Sequence, residues 1–374
     1  MTKTLILKKP VIAVTGSAGK TTTKEMIASI LRRKWRIFAS YRSFNQYTCS
    51  AANAIRIRPF HKAAVLEFGM GARGQIKKHC HFIQPNIGVI TNVGTAHIGN
   101  VGGTVRGIAH AKSELIKHMK QTGFLVINAD DPNSRLLETQ AFRGTIATVG
   151  INQEANYRAY NIQYRAGGMS FQIVLDSKEY LFDIPIYGTH NIYNALNAIA
   201  VSHHLGFSPK EMRAGLRFYK RTPHRMNVFR FSNNVTLIDD ACSANPNSMK
   251  AALDVLVKVD GKRKIAVLGT MLAMGKYSAK AHKEVGKYAA KCGINYLYTY
   301  GKKAQLIAKS AIVAGFPAEK VKRFESEKML KKSLDAMLKP DTTILIKASH
   351  KIKLEKTVEY LKKRLFQKRW KLIK

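Results

Sequence analysis

Short apolar runs alternate with longer segments of helical spacing along most of this chain. Val11–Thr15 (VIAVT) reads as a strand, then a glycine turn, then helix formers from Lys24 to Arg32. Trp35–Ala39 and Lys62–Glu67 read as further strands, the second buried and ending in an acid. Asn86–Thr91 and Phe124–Pro132 complete the series, with a helix over Thr104–Lys120 between them. Strands and helices alternating at this length predict a mostly parallel, doubly wound sheet. Residues 145–187 differ: runs such as MSFQIVL and YLFDIPI alternate with period two, which predicts a small antiparallel sheet appended to the first. A helix starts at Gly188. RTPHRM (221–226), with its proline, is the predicted boundary, giving domains 1–222 and 223–374. Beyond it VTLIDDACSANP, KIAVLGTM, YLYTYG and TTILIKAS alternate with helices, as in a second, smaller α/β domain of about 150 residues. The tail places Leu354, Val358, Leu361 and Leu365 at helical spacing, with Lys and Arg clustered from Lys362 onward. It reads either as a closing helix packed on the sheet or as a basic membrane-surface helix that includes Trp370.

Composition narrows the class. A chain of 374 residues, 45% hydrophobic, can bury two or three cores. No apolar run approaches the roughly 18 residues of a membrane span, and MTKTLILKKP lacks the features of a secretory signal, so a cytoplasmic location is the expectation. Cys49, Cys80, Cys242 and Cys292 form no C-x-x-C pair, which argues against a disulfide framework or a zinc site. Charge is the anomaly: 63 Lys and Arg against 23 Asp and Glu give +40. A polyanionic substrate, an anionic membrane surface, nucleic acid and a general lysine bias would each fit. Because the basic residues run along the whole chain and no nucleic-acid-binding motif accompanies them, an acidic substrate or surface is favoured and no specific nucleic acid is expected.

Candidate chemistry centres on TGSAGKTTT. A strand feeding a Gly-rich loop at a helix start aims backbone N–H groups and the helix's positive end at one spot, as a nucleoside triphosphate requires. The backbone of Gly16, Ser17, Ala18 and Gly19 would cradle phosphates, Lys20 would reach the β/γ-phosphates, and Thr21, with Thr22 behind it, would face Mg²⁺. The usual loop is G-x-x-x-x-G-K-[ST]; here Val14 takes the first glycine position and Gly16 supplies the turn. Glu67, at the end of a strand beside the loop strand, is placed to meet the metal, and His97 leaves the end of the next one. Lys112 rides on the following helix. Asn191 and Asn194, three apart, share a helix face and can bond a base edge, although asparagine at a helix start is usually a cap.

Together TGSAGKTTT, SFNQYT, EFGMGARGQI, NVGTAH, HAKSELI, VINADDP, GTHNIYNALNA, TPHRMN, IDDACSANPNSM, LGTMLAMGKYSAKAHKEVG and LIKASH, in this order, resemble the Mur ligase family over nearly the whole chain, most of all its D-alanyl-D-alanine-adding branch. The resemblance implies a P-loop central domain followed by a Rossmann-like C-terminal domain. It implies ATP and Mg²⁺, and an amide ligase in which a carboxylate takes the γ-phosphoryl group to become an acyl phosphate that an amine then displaces. The protein's part is positioning and charge neutralisation. Carried over, Lys20 and the loop backbone hold phosphates, Thr21, Glu67 and His97 face metal, and Lys112 matches a lysine carbamylated in many relatives. Asn191 and Asn194 match adenine-side asparagines, Arg225 an arginine approaching the γ-phosphate, and Asp240 an acid reaching the nucleotide, with domain closure completing the site.

Departures concern substrate. Such relatives carry a further N-terminal domain that grips a uridine nucleotide, and this chain begins almost directly at the P-loop. Cys242 stands where the family has tyrosine, Thr270 and Ala273 where it has acids, and His350 where it has arginine. The leading expectation is therefore a ligase joining an acidic, multiply charged small-molecule or polymer-linked carboxylate to an amine. A non-catalytic ATP-binding scaffold, or a peptidoglycan ligase working with a separate sugar-nucleotide-binding chain, are the alternatives.

Overall fold

The computed structural model describes residues 4–41 and 43–371, the side chains of 367–371 excepted. Contacts divide the chain into two compact units, Met1–Thr222 and Pro223–Lys374.

In the N-terminal unit, chain order is β1 (Val11–Thr15), α1 (Lys20–Leu31), β2 (Ile37–Ala39), α2 (Tyr47–Arg56), β3 (Ala63–Glu67), α3 (Gln75–Phe82), β4 (Ile87–Ile90), α4 (Val105–His118), β5 (Phe124–Asn128) and β6 (Thr145–Gly150). The hairpin strands β7 (Tyr157–Arg165), β8 (Gly168–Leu175) and β9 (Lys178–Ile184) follow, then α5 (Thr189–His204) and α6 (Pro209–Arg217). The strands form one sheet in the order β2-β3-β1-β4-β5-β6-β7-β8-β9. The predicted antiparallel sheet is thus a continuation: β7 pairs with β6 in parallel over Val149↔Tyr157 and Gly150↔Arg158, then antiparallel with β8. All residues of β1, β3 and β4 are buried, as central parallel strands covered on both faces must be. Lying between β3 and β4, β1 brings the C-terminal ends of three strands to the start of α1.

The C-terminal unit holds β10 (Asn227–Phe231), β11 (Val235–Asp240), α7 (Pro246–Lys258), β12 (Arg263–Gly269), α8 (Ser278–Ala289), β13 (Tyr296–Tyr300), α9 (Gln305–Val313), β14 (Val321–Phe324), α10 (Glu327–Asp335), β15 (Thr342–Lys347) and α11 (Glu355–Lys371). Its sheet runs β10-β11-β15-β12-β13-β14, parallel except for the edge strand β10. Leu354, Val358, Leu361 and Leu365 are buried in a core cluster with Leu237, Ile344 and Ile346, so the tail is a closing helix over its described length. Trp370 lies outside the described side chains.

Candidate active site

The glycine loop between β1 and α1 is shaped by its neighbours. Gly16 and Gly19 have φ of 148° and 81°, and a Cβ on them would fall 1.8 Å from Thr91 Oγ1 and 2.3 Å from Asn194 Oδ1. Only glycine fits both the backbone and the space. The loop is held from the end of β4: Asn92 O accepts from Ser17 N at 3.1 Å, and Asn92 Oδ1 from Ala18 N at 3.0 Å. Ser17 Oγ in turn accepts from Gly94 N at 2.9 Å. At the N-terminus of α1 no side chain caps the helix and no acid sits in the first turn. The helix's positive end and its first-turn N–H groups therefore face the loop concavity, a geometry that attracts phosphate. Lys20 Nζ donates to Gly16 O at 2.8 Å, folded back over the loop.

An oxygen cluster lies next to it. Glu67, 3% exposed, is the register partner of Val14. Its Oε2 accepts from Thr21 Oγ1 at 2.7 Å and its Oε1 from Asn45 Nδ2 at 2.6 Å. Behind it, Ser40 Oγ accepts from Glu67 N at 3.1 Å, and Ser40 O accepts from the fully buried Lys24 Nζ at 2.5 Å. Asn45, Lys20 and His97 line one cleft of about 420 Å³. His97 keeps part of its surface exposed. Loss of water over the rest, then the charges of Lys20 and Lys112, push its imidazole down to about 4. Lys112 is 2% exposed and makes no hydrogen bond or ion pair among the described residues. Burial first, then Lys20, drive its ammonium well below the usual lysine range, with Asp131 opposing. Thr15 and Thr95 each bury a hydroxyl that finds no partner among the described residues.

The structure thus brings Lys20, Thr21, Glu67 and His97 together, with Lys112 near enough to act on Lys20 and His97 electrostatically. Thr22 is buried in the same first turn. Asn191 and Asn194 are occupied internally: Asn194 Nδ2 donates to Asn191 Oδ1 at 2.8 Å, Asn191 Nδ2 to Tyr187 O at 2.7 Å, and Asn194 Oδ1 accepts from Thr23 Oγ1 at 3.1 Å. They tie α5 to the P-loop helix. Arg225 and Asp240 belong to the C-terminal unit. Arg225 buries an Nε that finds no partner among the described residues, and Asp240 Oδ2 accepts from the 2%-exposed Lys347 Nζ at 2.5 Å. Asn45, Asn92, Ser40 and Lys24 were not singled out by the sequence reading. Asn45 had a signal, a polar loop directly after a strand; the others depend on tertiary contact.

A Gly-rich loop joining a parallel strand to a helix, with a lysine, a hydroxyl–carboxylate pair and an imidazole at its mouth, defines a P-loop enzyme that handles a nucleoside triphosphate. Comparison with known proteins is more specific. Residues 14–202 match the Mur ligase middle domain, and residues 224–350 the domain described as Mur ligase, glutamate ligase domain. The UDP-N-acetylmuramoyl-tripeptide–D-alanyl-D-alanine ligase of Bacillus subtilis (strain 168) is 34% identical, the match covering 94% of this chain and 75% of that protein. A crystal structure of MurF from Acinetobacter baumannii is 28% identical with a TM-score of 0.86, over 94% of this chain and 76% of that one. MurF from Thermotoga maritima, solved in complex with ADP, shares the fold with a TM-score of 0.85 at 24% identity, over 96% of this chain and 81% of that one. The chain belongs to the Mur ligase family and is an ATP-dependent ligase that joins a carboxylate to an amine.

Proposed function

We propose that this ligase extends a nucleotide-linked muramoyl peptide at its terminal carboxylate with a D-alanyl-D-alanine-like dipeptide, the reaction that names its relatives. The supporting observation is that Lys20, Asn45 and His97 line one cleft and that Asn45 links it to the Thr21–Glu67 pair. A carboxylate oxygen attacks the γ-phosphorus of ATP and ADP leaves. The amine then attacks the acyl carbon, phosphate departs with that oxygen, and the amine loses a proton. Lys20 and the loop N–H groups balance charge on the transferring phosphoryl group, and Glu67 holds Thr21 in place. The family resemblance assigns nucleotide contacts to Arg225, Asp240, Asn191 and Asn194; the two asparagines are engaged in bonds that brace α1.

Mg²⁺ fits the oxygen cluster. Among the described residues no three His, Cys, Asp or Glu side chains form a cage, but magnesium commonly takes one or two protein oxygens and completes its shell with phosphate and water. Thr21 and Glu67 supply such oxygens, with His97 and Lys112 nearby. When bound, the ion neutralises phosphate charge. Lys112 suits a carbamate: burial lowers its pKa and so favours the neutral amine, the form that attacks CO₂, and the product is a carboxylate rather than a cation beside the metal.

A second reading keeps the chemistry and changes the acid. It is favoured by Cys242, Thr270, Ala273 and His350 at positions where the family carries tyrosine, acids and arginine, and by the +40 charge. None of the protein's described helices is long and apolar enough to cross a membrane. Phosphate release from ATP in the presence of UDP-muramoyl-tripeptide and D-alanyl-D-alanine tests the first reading. Release only with other acid–amine pairs supports the second, and release with none contradicts both.

A further inference from the structure

We propose that the N-terminal unit carries a docking surface for an anionic lipid bilayer, built by α6 and the end of α1 around Phe218. Gly215 makes the surface possible. A Cβ there would lie 2.4 Å from Ile30 Cα, so α6 approaches α1 at backbone distance, and Ser29 Oγ donates to Gly215 O at 2.7 Å across the contact. This approach sets Arg32 and Arg33, at the end of α1, beside the C-terminal end of α6. Arg33 lies over the Phe218 ring, 5.7 Å from its centroid. Phe218 is 64% exposed, a large aromatic ring left in water among guanidinium groups.

Two clefts flank that ring. One, of about 340 Å³, is lined by Lys210, Arg213 and Arg217 of α6 with Phe218. The other, of about 360 Å³, is lined by Arg32, Arg33 and Lys220, again with Phe218. Lys210, Arg213 and Arg217 stand at i, i+3 and i+7, hence on one exposed helix face, while Met212, Gly215 and Leu216 of the opposite face are buried. Three acids lie in the area: Glu211 closes the capping box of α6, Glu25 lines the second cleft and pairs with Lys24, and Asp183 lines the first cleft, where three cations outnumber it. An exposed aromatic wedge ringed by arginines, with concavities for phosphate groups on both sides, suits a bilayer interface: the ring enters the headgroup–acyl boundary and the cations meet lipid phosphates. A free polyanion would use the cations and leave the ring in water.

The molecule contains its own control. Lys280, Lys283 and Lys287 on α8 repeat the i, i+3, i+7 spacing and are likewise exposed, yet among the described residues α8 exposes no large apolar side chain. The test is sedimentation of the full chain with vesicles of phosphatidylcholine alone or of equal parts phosphatidylcholine and phosphatidylglycerol. Binding is expected only to the second. Arg213→Glu/Arg217→Glu should lower the partition coefficient at least about tenfold, and Lys283→Glu/Lys287→Glu, which removes the same charge, less than about twofold. Phe218→Ser should weaken binding severalfold without changing its salt dependence, and all variants should keep ATP-dependent turnover of soluble substrates. Absence of binding to the anionic vesicles overturns the proposal, as does equal loss from the α6 and α8 pairs. So does an α6 variant that loses affinity for single-stranded RNA but none for vesicles.

Discussion

Thr21 Oγ1 and Glu67 Oε2 lie 2.7 Å apart, joining the first turn of the P-loop helix to the end of the neighbouring strand. Because Asn45 Nδ2 takes the other carboxylate oxygen, Glu67 is fixed from two sides and its charge is turned toward the loop. Glu67→Gln keeps the shape and removes the charge. Turnover is expected to fall about 10- to 100-fold with a raised Mg²⁺ requirement. The melting temperature should move by only a few degrees. Steady-state phosphate release across a magnesium titration measures both; an unchanged magnesium dependence would remove Glu67 from the cation's surroundings.

Gly19 and Asn194 make a second such pair. Gly19→Ala places a methyl group against Asn194 Oδ1 and forces alanine to φ 81°. The backbone alone costs about 1–2 kcal/mol. Nucleotide affinity should fall with stability, and Asn194→Ala in the same chain should recover part of the stability loss while the φ strain remains. Denaturant unfolding of the two single variants and the double variant provides the cycle; strict additivity would show that the side chains do not meet.

These contacts mark how far the sequence could be read. β1, β3, β4 and β5 and the second unit's alternation were visible because a buried parallel strand is a short apolar run that ends abruptly. β10, β14, α2 and α3 were not. The two strands lie at sheet edges and are half-exposed, so they carry no continuous apolar run, and α3 contains four basic or imidazole side chains in eight residues. The loop motif placed Lys20 and Thr21 directly. The strand-end position of Glu67 was legible, but its partners Asn45 and Ser40 come from other segments, and no spacing rule connects them. Asn191 and Asn194 had the right helix face for a base, while their bonds to each other, to Tyr187 and to Thr23 appear only when α5 packs on α1.

Buried His79 gives the N-terminal unit an acid sensitivity. Its ring stacks on Phe68, contacts Ser50 Oγ at 2.6 Å and Gly69 O at 3.1 Å, and is held by burial at about 4. A histidine whose folded pKa lies below the unfolded 6.5 binds fewer protons when folded. Its contribution is complete above pH 6.5 and declines as pH falls toward 4, by about 3 kcal/mol in all. His79→Gln should be less stable than wild type at pH 7, with the gap narrowing toward pH 4.5. A constant gap across that range would mean that the imidazole charges without penalty.

Lys112 should form a carbamate. The protein equilibrated with ¹³C-bicarbonate is expected to give a carbamate carbon resonance that Lys112→Arg abolishes, together with a loss of turnover. A wild-type spectrum without that resonance, at full activity, would leave the lysine with another role.

The mechanism is tested most directly by oxygen transfer. When the acid substrate carries ¹⁸O in both carboxylate oxygens, the acyl phosphate route sends one labelled oxygen into each phosphate released, and Lys20→Ala should nearly abolish that release. Phosphate that leaves unlabelled while amide forms at the normal rate would contradict carboxylate attack on the γ-phosphorus.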